Sequence, residues 1–84
     1  MSYSVTFTGA ASQQTIGLPE SVFVALNGTL RDIARDPWAN TTPDQLEDSP
    51  AFRWAPFDNG LGAIHVYIDD HASVVRVHDV TWVG

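Results

Sequence analysis

Apolar residues recur at every second position near both ends of the chain and at helical spacing between them, and this rhythm predicts the elements. Tyr3, Val5 and Phe7 alternate with Ser4, Thr6 and Thr8, which predicts a half-buried strand. Gly9 ends it, and Ala10 to Ile16 reads as a short helix with little apolar periodicity. Gly17-Leu18-Pro19-Glu20 is a break followed by a helix start, because proline suits the first turn and an acidic residue there complements the macrodipole. Val22, Leu26 and Ile33, with Phe23 and Leu30, fall at spacings of four and seven and form an apolar stripe over about Pro19 to Arg35. Asn27-Gly28 weakens the middle of this helix by about 1 kcal/mol, and Asp36-Pro37 ends it.

Pro37 to Pro50 is polar and punctuated, and predicts a surface loop with one helical turn at Pro43 to Glu47. Ala51 to Phe57 reads as a strand broken near Pro56, and Asp58-Asn59-Gly60 is a strong turn signal. Leu61 to Val83 then predicts a two-stranded ribbon closed by Asp70 to Ser73. One ribbon face carries Ile64, Val66, Ile68, Val75 and Val77; the other carries His65, Tyr67, Arg76 and His78. The order β-α-α-β-β-β, over residues 1–84 as a single domain, is an α+β fold: a mostly antiparallel sheet of three to four strands with two helices on one face. The first strand belongs either inside this sheet or beside the last strand.

Composition narrows the function classes. Apolar residues make up 44% of the chain, including three tryptophans, two tyrosines and four phenylalanines, which supports a packed core and excludes disorder. No apolar run approaches the about 18 residues that span a bilayer, and Met1 to Ser4 has no basic or signal-like character. The absence of cysteine removes disulfides and thiolate metal sites and fits a cytoplasmic setting. Net charge is −6, and Arg31, Arg35, Arg53 and Arg76 are too scattered to form a basic patch, so generic tight RNA binding is disfavoured. An acidic balance suits solubility first and docking to a basic protein segment second.

Several of these pieces together resemble the RelE/ParE superfamily of bacterial toxin–antitoxin systems. They are the opening strand Tyr3 to Thr8, the short helix starting Gly9-Ala10-Ala11, Leu18-Pro19-Glu20 leading a helix, and Asp36-Pro37 at its end. The hairpin Val66 to Asp70 followed by Val74 to Val77 completes the likeness, which leaves out only the 38–50 loop. The resemblance implies a small toxin fold, neutralised by an antitoxin-like partner protein, whose open sheet face meets ribosome-bound messenger RNA or DNA gyrase. It also implies a catalytic basic residue near Arg53. The family's next-strand arginine lands on Ala63, and its C-terminal cluster lands near Trp82 and Val83. These departures remove most of the familiar ribonuclease site and leave endoribonuclease activity an open expectation.

The candidate site therefore rests on the ribbon's polar face. A four-residue loop at Asp70 to Ser73 sets Asp69 opposite Val74, Tyr67 opposite Arg76 and His65 opposite His78, with Cβ atoms of opposed residues about 4.5–5.5 Å apart. A histidine pair at that distance supplies a general base and a general acid. Arg53 and Arg76 would contact phosphate, and Tyr67 would orient or stack. The plainer readings are an ordinary polar face, or a contact surface for a partner protein. A metal held by His65, His78 and Asp69 or Asp79 is disfavoured, because Asp79 alternates onto the opposite face and no compact ligand motif is present. Nothing points to a cofactor: Gly60-Leu61-Gly62 lacks the helix and lysine of a phosphate loop. Trp38, Phe52, Trp54, Phe57 and Trp82 read as core and loop anchors ahead of base-stacking platforms. Asp44, Glu47 and Asp48 read as a solvated loop. Two functions follow, a RelE-like toxin component or a non-enzymatic protein-binding module on the same fold.

Overall fold

The alternation at both ends of the chain becomes one mixed sheet in the computed structural model, which describes residues 2–84. The elements are β1 (Ser4–Phe7), α1 (Gly9–Gln14), α2 (Glu20–Arg35), β2 (Thr42–Pro43), β3 (Phe52–Phe57), β4 (Gly62–Asp69) and β5 (Val74–Trp82). The sheet has five strands in the order β1-β5-β4-β3-β2, with β1 parallel to β5 and the remaining pairs antiparallel. The α+β class and the helix-backed sheet are as the sequence predicts. The strand count rises because β2, only two residues long, lies within the predicted surface loop.

α1 begins one residue before its predicted start, since the Thr8 side chain accepts a hydrogen bond from the Ala11 amide and caps it. α2 runs unbroken through Asn27-Gly28. Its continuity comes from burial of Val22, Leu26, Leu30 and Ile33 against the sheet, not from local propensity. Phe23 sits one step round the helix from Val22 and stays 44% exposed, so it leaves the predicted stripe. Pro19 is the cap residue and Glu20 the first helical one. On the sheet, Ala55, Phe57, Ile64, Val66, Ile68, Val75, Val77 and Val80 join the helical residues in a single core cluster. Both helices thus cover one face of the sheet and leave the other half-open.

Two local features needed the assembled sheet. Pro56 does not break β3, which pairs with β4 from Phe52 to Phe57. β2 reaches only Arg53 and Trp54, so Pro56 lies where the outer edge of β3 is uncovered and no amide donor is required there. The second is a β-bulge in the β4–β5 pair: Val66 faces Val77, but the next partner of His65 is Asp79. His78 is the extra residue. The cause is readable in β5, where buried positions change from odd (Val75, Val77) to even (Val80). Without the inserted residue, Asp79 would point into the core and Val80 out of it.

Between the N-terminal segment and the β4–β5 loop, Asp70 accepts hydrogen bonds from the Tyr3 hydroxyl (2.6 Å) and from Trp38 Nε1 (2.9 Å). Tyr3 first, then Trp38, holds the Asp70 carboxyl below the usual carboxylate range. The same bond to Asp70, with burial next, pushes the Tyr3 phenol above its ordinary value. The depressed acid contributes stability above the ordinary carboxylate range and loses it as pH falls through the folded-state value. The raised phenol contributes below the ordinary phenol range and loses it as pH rises through the folded-state value. Asp70→Asn is expected to flatten both limbs when unfolding free energy is followed by urea titration across pH. Unchanged limbs would assign the pH dependence to other groups.

Candidate active site on the open sheet face

Strand pairing places the ribbon's polar face where it was expected and adds neighbours from β3. Phe52 is paired with Tyr67 and Trp54 with His65, so these two aromatics stand on the open face beside the histidines. Phe52 meets Tyr67 edge-on at 5.0 Å between ring centroids and His78 edge-on at 5.5 Å. Trp54 lies nearly parallel to His65, 24° apart with centroids at 6.3 Å. The aromatics predicted as core and loop anchors therefore divide. Phe57 is core and Trp82 packs against it; Trp38 anchors the loop; Phe52 and Trp54 build the open face.

His65 and His78 are brought together, with ring centroids 6.2 Å apart. They are not the directly opposed pair that the sequence predicts, because the bulge makes Asp79 the partner of His65. The extra residue still projects onto the open face, and its Nε2 is buried without a hydrogen-bond partner. A buried ring nitrogen in that state is costly to the folded chain. Tyr67 and Arg76 face one another as predicted. Arg76 is exposed, and Thr6 of β1 lies beyond it.

Arg53 leaves this group. It pairs with Val66, whose side chain is in the core, so its own side chain departs on the helix face. There the guanidinium donates from Nε to Thr41 Oγ1 (2.7 Å) and from its terminal nitrogen to the carbonyls of Thr41 (2.7 Å) and Trp38 (3.2 Å). It also lies 4.9 Å from the centroid of the Trp38 ring. Every one of these contacts ties the 38–41 segment to β3. The expected phosphate contact on the open face thus falls to Arg76 alone among the candidate arginines.

Asp44, read from the sequence as part of a solvated loop, arrives in the place Arg53 was expected to fill. Thr42 pairs with Trp54 and Pro43 with Arg53, and the Asp44 amide then donates to the Phe52 carbonyl (3.0 Å). Period two carries the Asp44 side chain to the open face, where Oδ2 lies 3.2 Å from His65 Nδ1. The Asp44 side chain is only 10% exposed and that of His65 28%. The Leu46 amide donates to Oδ1 at 3.1 Å. That bond, followed by the contact with His65, holds the carboxyl below the usual carboxylate range against an opposing contribution from burial. The only sequence signal for this arm was the β-favouring Thr41-Thr42 pair. Among the described residues no three His, Cys, Asp or Glu side chains converge as a metal set.

By sequence the chain matches no protein-family model and no curated protein. By structure it is similar to RelE toxins. A RelBE toxin–antitoxin complex from Mycobacterium tuberculosis superposes with a TM-score of 0.82 at 23% identity, covering 98% of this chain and 92% of that one. The isolated RelE toxin of E. coli gives 0.81 at 18% identity, over 98% and 85%. The archaeal RelE–RelB complex from Pyrococcus horikoshii OT3 gives 0.75 at 11% identity, over 100% and 98%. The chain has the RelE fold across essentially its whole length.

Proposed function

We propose that this protein is the RelE-like toxin component of a toxin–antitoxin pair, acting as a single domain in the cytoplasm as a metal-independent endoribonuclease. The fold supports the first part, since its solved neighbours include RelE toxins in complex with RelB antitoxins. The observation that carries the second part is the proximity of the His65 and His78 rings on the open sheet face, 6.2 Å apart between centroids. No helix among the described residues is long and apolar enough to cross a membrane.

In the proposed reaction His65 takes the proton of a ribose 2′-hydroxyl, whose oxygen forms a bond to the adjacent phosphorus. The bond from phosphorus to the 5′-oxygen breaks, and His78 returns a proton to that leaving oxygen. Proton count and charge balance without a metal. Arg76 stabilises the extra negative charge on the phosphoryl oxygens, and Tyr67 and Trp54 offer ring faces to the flanking bases.

Expression in a bacterial host is expected to arrest growth. His65→Ala combined with His78→Ala is expected to relieve the arrest while the protein remains folded, and RNA from arrested cells is expected to carry new ends. A second reading is favoured by the net charge of −6 and by the single arginine on the open face: a protein-binding module without catalysis. That reading predicts no new RNA ends and an unchanged antitoxin complex in the double variant.

A further inference from the structure

We infer that Asp44 is a positioning residue that fixes His65 as the Nδ1–H tautomer and thereby leaves Nε2 as the base, an inference that rests on the acid–base reading of the open face. An ionised carboxylate accepts hydrogen bonds and donates none. With Asp44 Oδ2 at 3.2 Å from Nδ1, the hydrogen of a neutral His65 ring belongs on that nitrogen. The lone pair is then at Nε2, on the far side of the ring from Asp44.

The carboxylate is suited to this task because it cannot rotate freely. Its other oxygen is occupied by the Leu46 amide, and its side chain is nine-tenths buried. Those contacts keep it ionised into the acid range. The backbone behind it is pinned as well, through the bond from the Asp44 amide to the Phe52 carbonyl and the pairing of Thr42 and Pro43 with β3. On its other flank His65 is held by the parallel ring of Trp54. The imidazole thus has a fixed acceptor at Nδ1 and an indole alongside, and lies 6.2 Å from the ring of its proposed acid partner. The bond to the Leu46 amide is a local turn contact that uses Oδ1 alone, and it leaves Oδ2 directed at His65.

Nitrogen-resolved imidazole NMR spectra of the full chain, recorded at mildly alkaline pH and assigned with His65→Gln, test the inference directly. The wild-type His65 is expected as the Nδ1–H form, and Asp44→Ala is expected to shift it toward Nε2–H, with a urea midpoint confirming that the variant is folded. A wild-type ring in the Nε2–H form, or one unmoved by Asp44→Ala, overturns the proposal. With ribosome-bound messenger RNA as substrate, Asp44→Ala is expected to lower kcat by about 10- to 100-fold, a share of the about 10²–10⁴-fold that a positioned acid or base contributes. KM should change little, and Asp44→Glu should recover part of the loss. A raised KM with unchanged kcat assigns Asp44 to substrate binding and overturns the proposal. A wild-type chain that leaves ribosome-bound messenger RNA intact, while its His65 tautomer still follows Asp44, overturns the acid–base reading and upholds the positioning.

Discussion

Leu26→Ala is expected to lower the unfolding free energy by about 3–5 kcal/mol, the range for a leucine removed from a core that relaxes only partly. Leu26 is fully buried, at the centre of the α2 stripe and within the same cluster as Ile64, Val66 and Val77. For a chain of 84 residues each kcal/mol corresponds to roughly 4–8 °C in Tm. Total stability of small domains is about 5–15 kcal/mol, so the variant would keep little reserve at growth temperature. Thermal and urea unfolding followed by tryptophan fluorescence measure the loss. A cost below about 1 kcal/mol would place α2 elsewhere than on the sheet, since a leucine on solvent has no cavity to leave. Phe23→Ala on the neighbouring helical position is the control, because Phe23 already stands 44% exposed.

Arg53→Met is expected to cost about 1.5–3 kcal/mol, the range for hydrogen bonds made by a charged donor. Methionine keeps most of the apolar stem but strands Thr41, which is 7% exposed and whose hydroxyl donates to the Pro37 carbonyl while accepting from Arg53. Arg53→Lys should recover only part of the loss, because a point charge cannot span Thr41 Oγ1, two carbonyls and the Trp38 ring at once. The same variant separates two roles for this arginine. At a temperature where Arg53→Met is folded, growth arrest should persist at the wild-type level. Loss of arrest in a folded Arg53→Met protein would return Arg53 to the substrate.

The contrast between Arg53 and Asp44 shows how much of the site was legible in the chain. Alternation alone puts His65, Tyr67, Arg76 and His78 on the open face, because a strand with one buried face must show its other residues on the opposite side. Arg53 was assigned through family resemblance, and its face depended on which residue of β4 it would oppose. Phase within β3 is weak evidence, since Phe52, Trp54 and Phe57 are all apolar while only Phe57 reaches the core. Asp44 was missed because a two-residue strand has no period to detect. Its pairing is made with β3, which no local pattern in the loop reveals.

The sequence by itself determined the two helices, the hairpin of β4 and β5, the burial of its aliphatic face and the placement of His65 and His78 on the opposite one. These follow from local geometry: a helix repeats near every fourth residue and a strand every second, so the apolar pattern commits each element before any partner is chosen. The bulge is not among them: the sequence predicts His65 opposite His78, and the assembled sheet pairs His65 with Asp79. Tertiary structure alone decided that β1 closes the sheet beside β5, that Arg53 turns toward the helices and that Asp44 reaches His65. Each of those depends on which strands lie side by side, and strand neighbours are chosen by burial of the whole core, a quantity that no short stretch of chain contains.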